Sequence, residues 1–122
     1  MRHVVTIRKS TDAGAIRLKR GDTVLGTIGQ LAGQTDDVFS GTFSSRPAFA
    51  DHAESFQALD EALGAAGDGA ALRAEIERRG LVVWHSAHHM RIDVPGTIEI
   101  ANGRARFRAT GAFLALRTGG LG

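Results

Sequence analysis

The stretch Thr97-Ile98-Glu99-Ile100-Ala101-Asn102-Gly103-Arg104-Ala105-Arg106-Phe107-Arg108 decides how this chain folds. Asn-Gly between two alternating runs is a strong hairpin signal, because a two-residue type I′ turn needs positive φ at both central positions. Such a turn sets Ile100 opposite Ala105, Glu99 opposite Arg106 and Ile98 opposite Phe107. Apolar residues then meet on one face and opposite charges on the other, and both kinds of pair stabilise an antiparallel ladder. The implied framework is an antiparallel sheet with one buried face.

Working outward, the same alternation recurs. Upstream, Val5 and Ile7 alternate with Thr6 and Arg8, and Ile16 and Leu18 alternate with Arg17 and Lys19. Arg20-Gly21-Asp22 turns the chain into a strand over 23–28, residues 29–36 read as a loop, and residues 38–43 read as a fourth strand. Gly41 inside that strand marks a bulge or a close backbone approach. After the helices, residues 81–85 and then Met90, Ile92 and Val94 return to strand, with Pro95-Gly96 as the next turn. Phe113 to Leu116 reads as a last strand or a helical turn, followed by a frayed glycine-rich tail.

Between the strands the period changes. Ser44 or Ser45 supplies an N-cap and Pro47 sits in the first turn, where its missing N–H costs nothing. Phe49, Ala53, Phe56, Leu59 (or Asp60) and Leu63 step by three or four, so residues 47–63 form an amphipathic helix. Asp68 caps a second helix over 69–79, with Leu72 and Ile76 on one face and Gly80 as its C′ residue. The expected architecture is one α+β domain over residues 1–122 in β-β-β-β-α-α-β-β-β-β order, its two helices packed on one face of a mostly antiparallel sheet.

Composition narrows the class. The chain has no cysteine, which excludes a disulfide framework and thiolate-ligated zinc. No continuous apolar h-region opens the chain, and the longest apolar runs fall far short of a membrane span, so the expectation is a cytoplasmic protein without a membrane partner. Thirteen arginines against two lysines point to a GC-rich bacterial genome. The net charge of +2 hides a segregation. Residues 1–35 carry six basic and two acidic groups, 36–77 two basic and nine acidic, and 78–122 seven basic and two acidic. Acidic helices on one side and an arginine-studded sheet face on the other follow from that order, an arrangement suited to docking or self-association.

The segment Gly41-Thr42-Phe43-Ser44-Ser45-Arg46-Pro47-Ala48-Phe49 resembles a G-x-F-x-x-x-P-x-F pattern found in small uncharacterised bacterial proteins. The Gly103-to-Arg108 strand is similar to theirs as well. The resemblance covers about half the chain and implies an α+β fold. It lends no catalytic residue, because the family has no assigned activity.

Two constellations carry candidate chemistry. Trp84-His85-Ser86-Ala87-His88-His89-Met90 holds three of the five histidines. Imidazole is the commonest metal ligand and titrates near neutrality. His85, His88 and His89, with Asp93 or His3, form a candidate Zn²⁺ or Ni²⁺ set. A catalytic reading uses His85 and His88 as general acid and base, with Arg91 stabilising an anion, as in a metal-free nuclease. The blander reading turns His85 toward the core, leaves His88 and His89 in solvent, and stacks Trp84 on Arg91 as a cation–π pair. The second constellation is Arg104, Arg106 and Arg108, which project from one strand face with Arg91 or Arg17 extending the patch. Such a face can hold a phosphate backbone, but the chain lacks the exposed aromatics of sheet-type nucleic-acid binders apart from Trp84. Glu99 is placed to neutralise Arg106. The glycines at 26, 29 and 33 match no phosphate-binding pattern. No catalytic triad, nucleophile elbow or H-E-x-x-H is present.

The sequence therefore favours a non-enzymatic binding protein of a regulatory, immunity-like or phage-associated kind, working on a protein partner or on itself and needing no cofactor. The alternatives are a histidine-centred enzyme or metal protein built on residues 84–93, and nucleic-acid binding through the arginine face.

Overall fold

The computed structural model describes residues 16–33 and 37–121. The strand expected over Val5–Ile7 and the candidate ligand His3 lie outside the described residues. Seven strands form one antiparallel sheet: β1 (Ile16–Arg20), β2 (Thr23–Gly33), β3 (Val38–Ser45), β4 (Leu81–His85), β5 (Met90–Arg91), β6 (Glu99–Ala101) and β7 (Arg104–Arg108). Their order across the sheet is β5-β4-β1-β2-β3-β7-β6. Between β3 and β4 a 3-10 turn (Pro47–Phe49) leads into helix α1 (Ala50–Gly64), followed by α2 (Ala70–Arg78). The chain ends in α3 (Gly111–Leu121).

The hairpin that anchors the sequence reading forms in the expected register. Glu99 pairs with Arg106, Ile100 with Ala105 and Ala101 with Arg104. Asn102 and Gly103 take φ of 55° and 74°, the double positive-φ geometry of a type I′ turn. Alternation then carries the buried face from strand to strand. Leu18 lies between Val83 and Gly26, Ile28 opposite Phe43, and Phe39 opposite Phe107. These residues join Phe56 and Leu59 of α1, Ile76 of α2 and Phe113 of α3 in one buried cluster. The central helices thus pack against the sheet through this cluster.

The sheet curls until its ends meet. Ile92 N–H donates to Val83 O at 2.9 Å, which holds residues 92–94 beside β4. Val94 N–H then donates to Arg108 O at 2.8 Å and Thr110 N–H to Ile92 O at 3.0 Å, while Asp93 and Ala109 form a bridge. Residues beyond β5 therefore pair with residues beyond β7, which leaves fewer open backbone groups along the sheet edges.

Three expectations need correction. Residues 29–33, read as loop, continue β2, with a register irregularity between Gly29 and Ala32 where Gln30 takes a φ of 54°. Glycine-rich sequence reads poorly as strand, and it is pairing with β3 that holds this segment extended. Of the two readings of Gly41 the close approach holds: a Cβ there would sit 2.5 Å from Gly29 O, and the register irregularity lies on β2. At the C-terminus a third helix replaces the expected strand or turn and frayed tail. Thr110 starts it, its Oγ accepting from Phe113 N–H at 3.2 Å and its carbonyl from Leu114 N–H at 3.0 Å. Neither Ser44 nor Ser45 caps the first helix; both lie in β3, and the 3-10 turn starts after Arg46 without a side-chain cap.

That turn also takes Phe49 out of α1. The buried residues of α1 are His52, Phe56 and Leu59. Phe56 and Leu59 lie on the expected stripe, whereas Ala53 is exposed and His52 is buried beside it. Phe49 still packs, with ring centroids 4.9 Å from Phe43 and 5.7 Å from Phe56.

Candidate functional site

The histidine segment leaves β4 at His85 and enters a 3-10 turn over Ser86–His88. Side chains three apart nearly eclipse in that geometry. His85 and His88 accordingly meet, with ring centroids 4.7 Å apart at 67° and Nδ1 to Nδ1 at 3.3 Å. His89 takes a left-handed φ of 50° and is exposed. His85 is half-buried, and its ring lies 6.1 Å from Phe113. Met90 stands opposite His85 in the ladder.

Asp93 is occupied elsewhere. It is fully buried, its Oδ1 accepting from Val83 N–H at 2.8 Å and from Arg91 Nε at 2.9 Å. Arg91 also donates through Nη2 to Asp93 Oδ2 and to Glu77, each at 3.3 Å. Burial alone would lower the Arg91 pKa, but the bonds to Asp93 and Glu77 outweigh it and hold the guanidinium above its usual value. Arg91 is thereby tied into the scaffold. Of the candidate ligands His85, His88, His89 and Asp93, the fold brings only His85 and His88 together. No group of three or more His, Cys, Asp or Glu side chains placed to hold a metal occurs among the described residues.

Trp84 stands opposite Arg91 in the ladder, as expected, yet the cation over its ring is Lys19, with Nζ 5.4 Å from the centroid. Asp93 draws the Arg91 guanidinium away, and Lys19 takes the place.

The arginine face is largely compensated. Arg106 pairs with Glu99 at 2.7 Å, Arg108 with Asp37 at 2.7 Å, and Arg73 of α2 reaches the other Glu99 oxygen at 2.8 Å. Arg17 lies across β2 and β3 from β7. Arg104 differs: its bond is to Ser40 Oγ at 3.1 Å, and no carboxylate pairs with it among the described residues.

Arg104 lines a groove that sequence reading missed. Two adjoining hollows of ≈ 510 and ≈ 290 Å³ run between α1 and the β6–β7 hairpin and share Phe56, Asp60, Ile100 and Ala101. Phe43 and Phe49 floor the larger, with Gln57 and Glu61 at its rim; Arg104 and Arg106 line the smaller. Acidic Asp60 and the arginines thus share one recess, so the charges are not segregated onto opposite faces as the block pattern suggested. Aromatic residues at 43, 49 and 56 were the available signal, but their spacing reads equally as core.

A second missed residue is His52, buried on α1. Its Nδ1 lies 3.1 Å from Arg79 Nη1. Arginine only donates, so Nδ1 accepts and the imidazole proton sits on Nε2. Burial first, then Arg79 and Arg20, push the His52 pKa below its ordinary value against the opposite pull of Asp51.

No protein-family model, curated protein or solved structure matches the chain. Among the described residues no helix is long and apolar enough to cross a membrane.

Proposed function

We propose that the protein acts by binding rather than catalysis, and that the groove between α1 and the β6–β7 hairpin receives a segment of a partner protein. The observation that carries this reading is the uncompensated Arg104 at one end of a groove floored by Phe43, Phe49 and Phe56. An apolar floor supplies affinity through burial, and a few placed polar groups supply orientation. The fitting segment carries an apolar anchor and a carboxylate that replaces Ser40 as the partner of Arg104. The ion pairs of Arg106 and Arg108 favour this over nucleic-acid binding, since paired arginines release fewer counterions on meeting phosphate.

Selection of random displayed peptides on the intact chain tests the proposal. Enriched peptides should combine apolar and acidic residues. Their binding should vanish in Ala53→Arg, which fills the groove from an exposed position of α1, and weaken at least about tenfold in Arg104→Glu, consistent with loss of a charge-assisted hydrogen bond. No enrichment, or binding indifferent to both substitutions, would overturn it.

A further inference from the structure

The histidine turn carries chemistry that the groove does not use. We propose that His85 and His88 form a two-imidazole chelate for Zn²⁺, closed by Nδ1 of both rings and, among the described residues, open at its remaining positions. The argument is one of bite. Two nitrogens, each 2.0–2.1 Å from a tetrahedral ion, stand about 3.3–3.4 Å apart, whereas a right-angled pair stands about 2.9 Å apart. The observed Nδ1 separation is 3.3 Å. The pair stands at that spacing where β4 runs into the 3-10 turn.

At 3.3 Å the two Nδ1 atoms are within hydrogen-bond distance, an arrangement that needs a proton on one of them. Both must offer lone pairs to an ion, so the donor ring moves its proton to Nε2 and no net charge is lost. The rings stand at 67° to each other and His88 is exposed, so its ring can adjust toward an ion beside the pair while His85 stays in place. His85 is the fixed arm, held by β4 and beside Phe113; His88 is the adjustable one. His89, in its left-handed conformation, and buried Asp93 lie outside the chelate. Two protein ligands leave two positions for water or for a donor from a bound molecule, the open arrangement of exchangeable rather than structural zinc.

Untagged, chelator-treated full-length protein would be titrated with Zn²⁺ by calorimetry and with Co²⁺ in the visible range. The expected results are one ion per chain and the intense absorption of tetrahedral cobalt. His88→Ala and His88→Gln should each weaken binding at least about tenfold, the loss expected even from disturbing a ligand's supporting contacts. His89→Ala should bind as the wild type does. Circular dichroism of the His88 variants should be unchanged, because His88 is exposed, and this separates loss of a ligand from loss of fold. Absence of saturable binding, the weak spectrum of octahedral cobalt, undiminished affinity in His88→Ala, or an equal loss in His89→Ala would each overturn the chelate.

Discussion

Asp93 shows how far a single residue can be committed to structure. Its carboxylate satisfies the Val83 amide and the Arg91 guanidinium from a fully buried position. Removing one partner of such a pair leaves the other desolvated and unpaired, which costs more than the pair contributes. Asp93→Ala should therefore destabilise the protein by about 3 kcal/mol, with Asp93→Asn milder because one acceptor oxygen survives; urea denaturation would measure both. His52 poses the complementary question of protonation. Its folded-state pKa is depressed, so the unfolded chain takes up a proton that the folded chain refuses. Stability from this source is fully present above the unfolded value of about 6.5 and is lost as pH falls through the lowered folded value. Thermal melts over that range should fall more steeply with acidification in the wild type than in His52→Gln. Parallel slopes would show that Arg79 and burial do not hold His52 neutral.

The β6–β7 hairpin is the element most fully specified by its own sequence. Asn102 and Gly103 supply the turn and Glu99 reaches Arg106 across the ladder at 2.7 Å. Replacing Asn102-Gly103 by Ala-Ala imposes positive φ on two residues that resist it, each at about 1 kcal/mol or more. A fall in melting temperature with local loss of amide protection between residues 99 and 106 is the expected result. The β2–β3 pair depends on space instead. A Cβ at Gly41 would meet Gly29 O at 2.5 Å and Ile28 Cγ2 at 2.9 Å, so Gly41→Ala must push two strands apart. Overpacking of that kind costs about 1–3 kcal/mol, readable in the same urea titration. Helix α3 depends on its anchor. Phe113 is buried against Phe39, with centroids 5.5 Å apart, and Phe113→Ala should cost about 3–5 kcal/mol.

At the scale of the whole molecule, closure dominates. The contacts that join residues 92–94 to 108–110, and β1 to β4, link parts of the chain far apart in sequence. Loop-closure entropy must be met before such contacts stabilise anything, so refolding should take milliseconds or longer, on the order of other sheet-dominated domains. Stopped-flow fluorescence of Trp84 would follow it, and complete refolding within microseconds would contradict this topology-based expectation. Surface charge contributes little by comparison: exposed pairs such as Arg78 with Glu75 sit in high dielectric and are screened by salt.

By itself the sequence determined what depends on neighbours along the chain. Alternation placed most of the strands, the Asn-Gly turn set its own register, and a period of three to four marked both central helices. These are local properties, since a strand's inward face or a turn's φ angles follow from a few adjacent residues. What depended on distant partners was decided only in three dimensions. Residues 29–33 are a strand because β3 pairs with them, Arg91 turns from Trp84 because Asp93 is buried beside it, and His52 is buried beside Arg79, which follows α2. The candidate site divided the same way. The turn that brings His85 to His88 spans three residues and was visible as a cluster of histidines, whereas the groove exists only where α1 crosses a hairpin some fifty residues away. A groove between two elements is a relation of packing, and no single stretch of the chain encodes it.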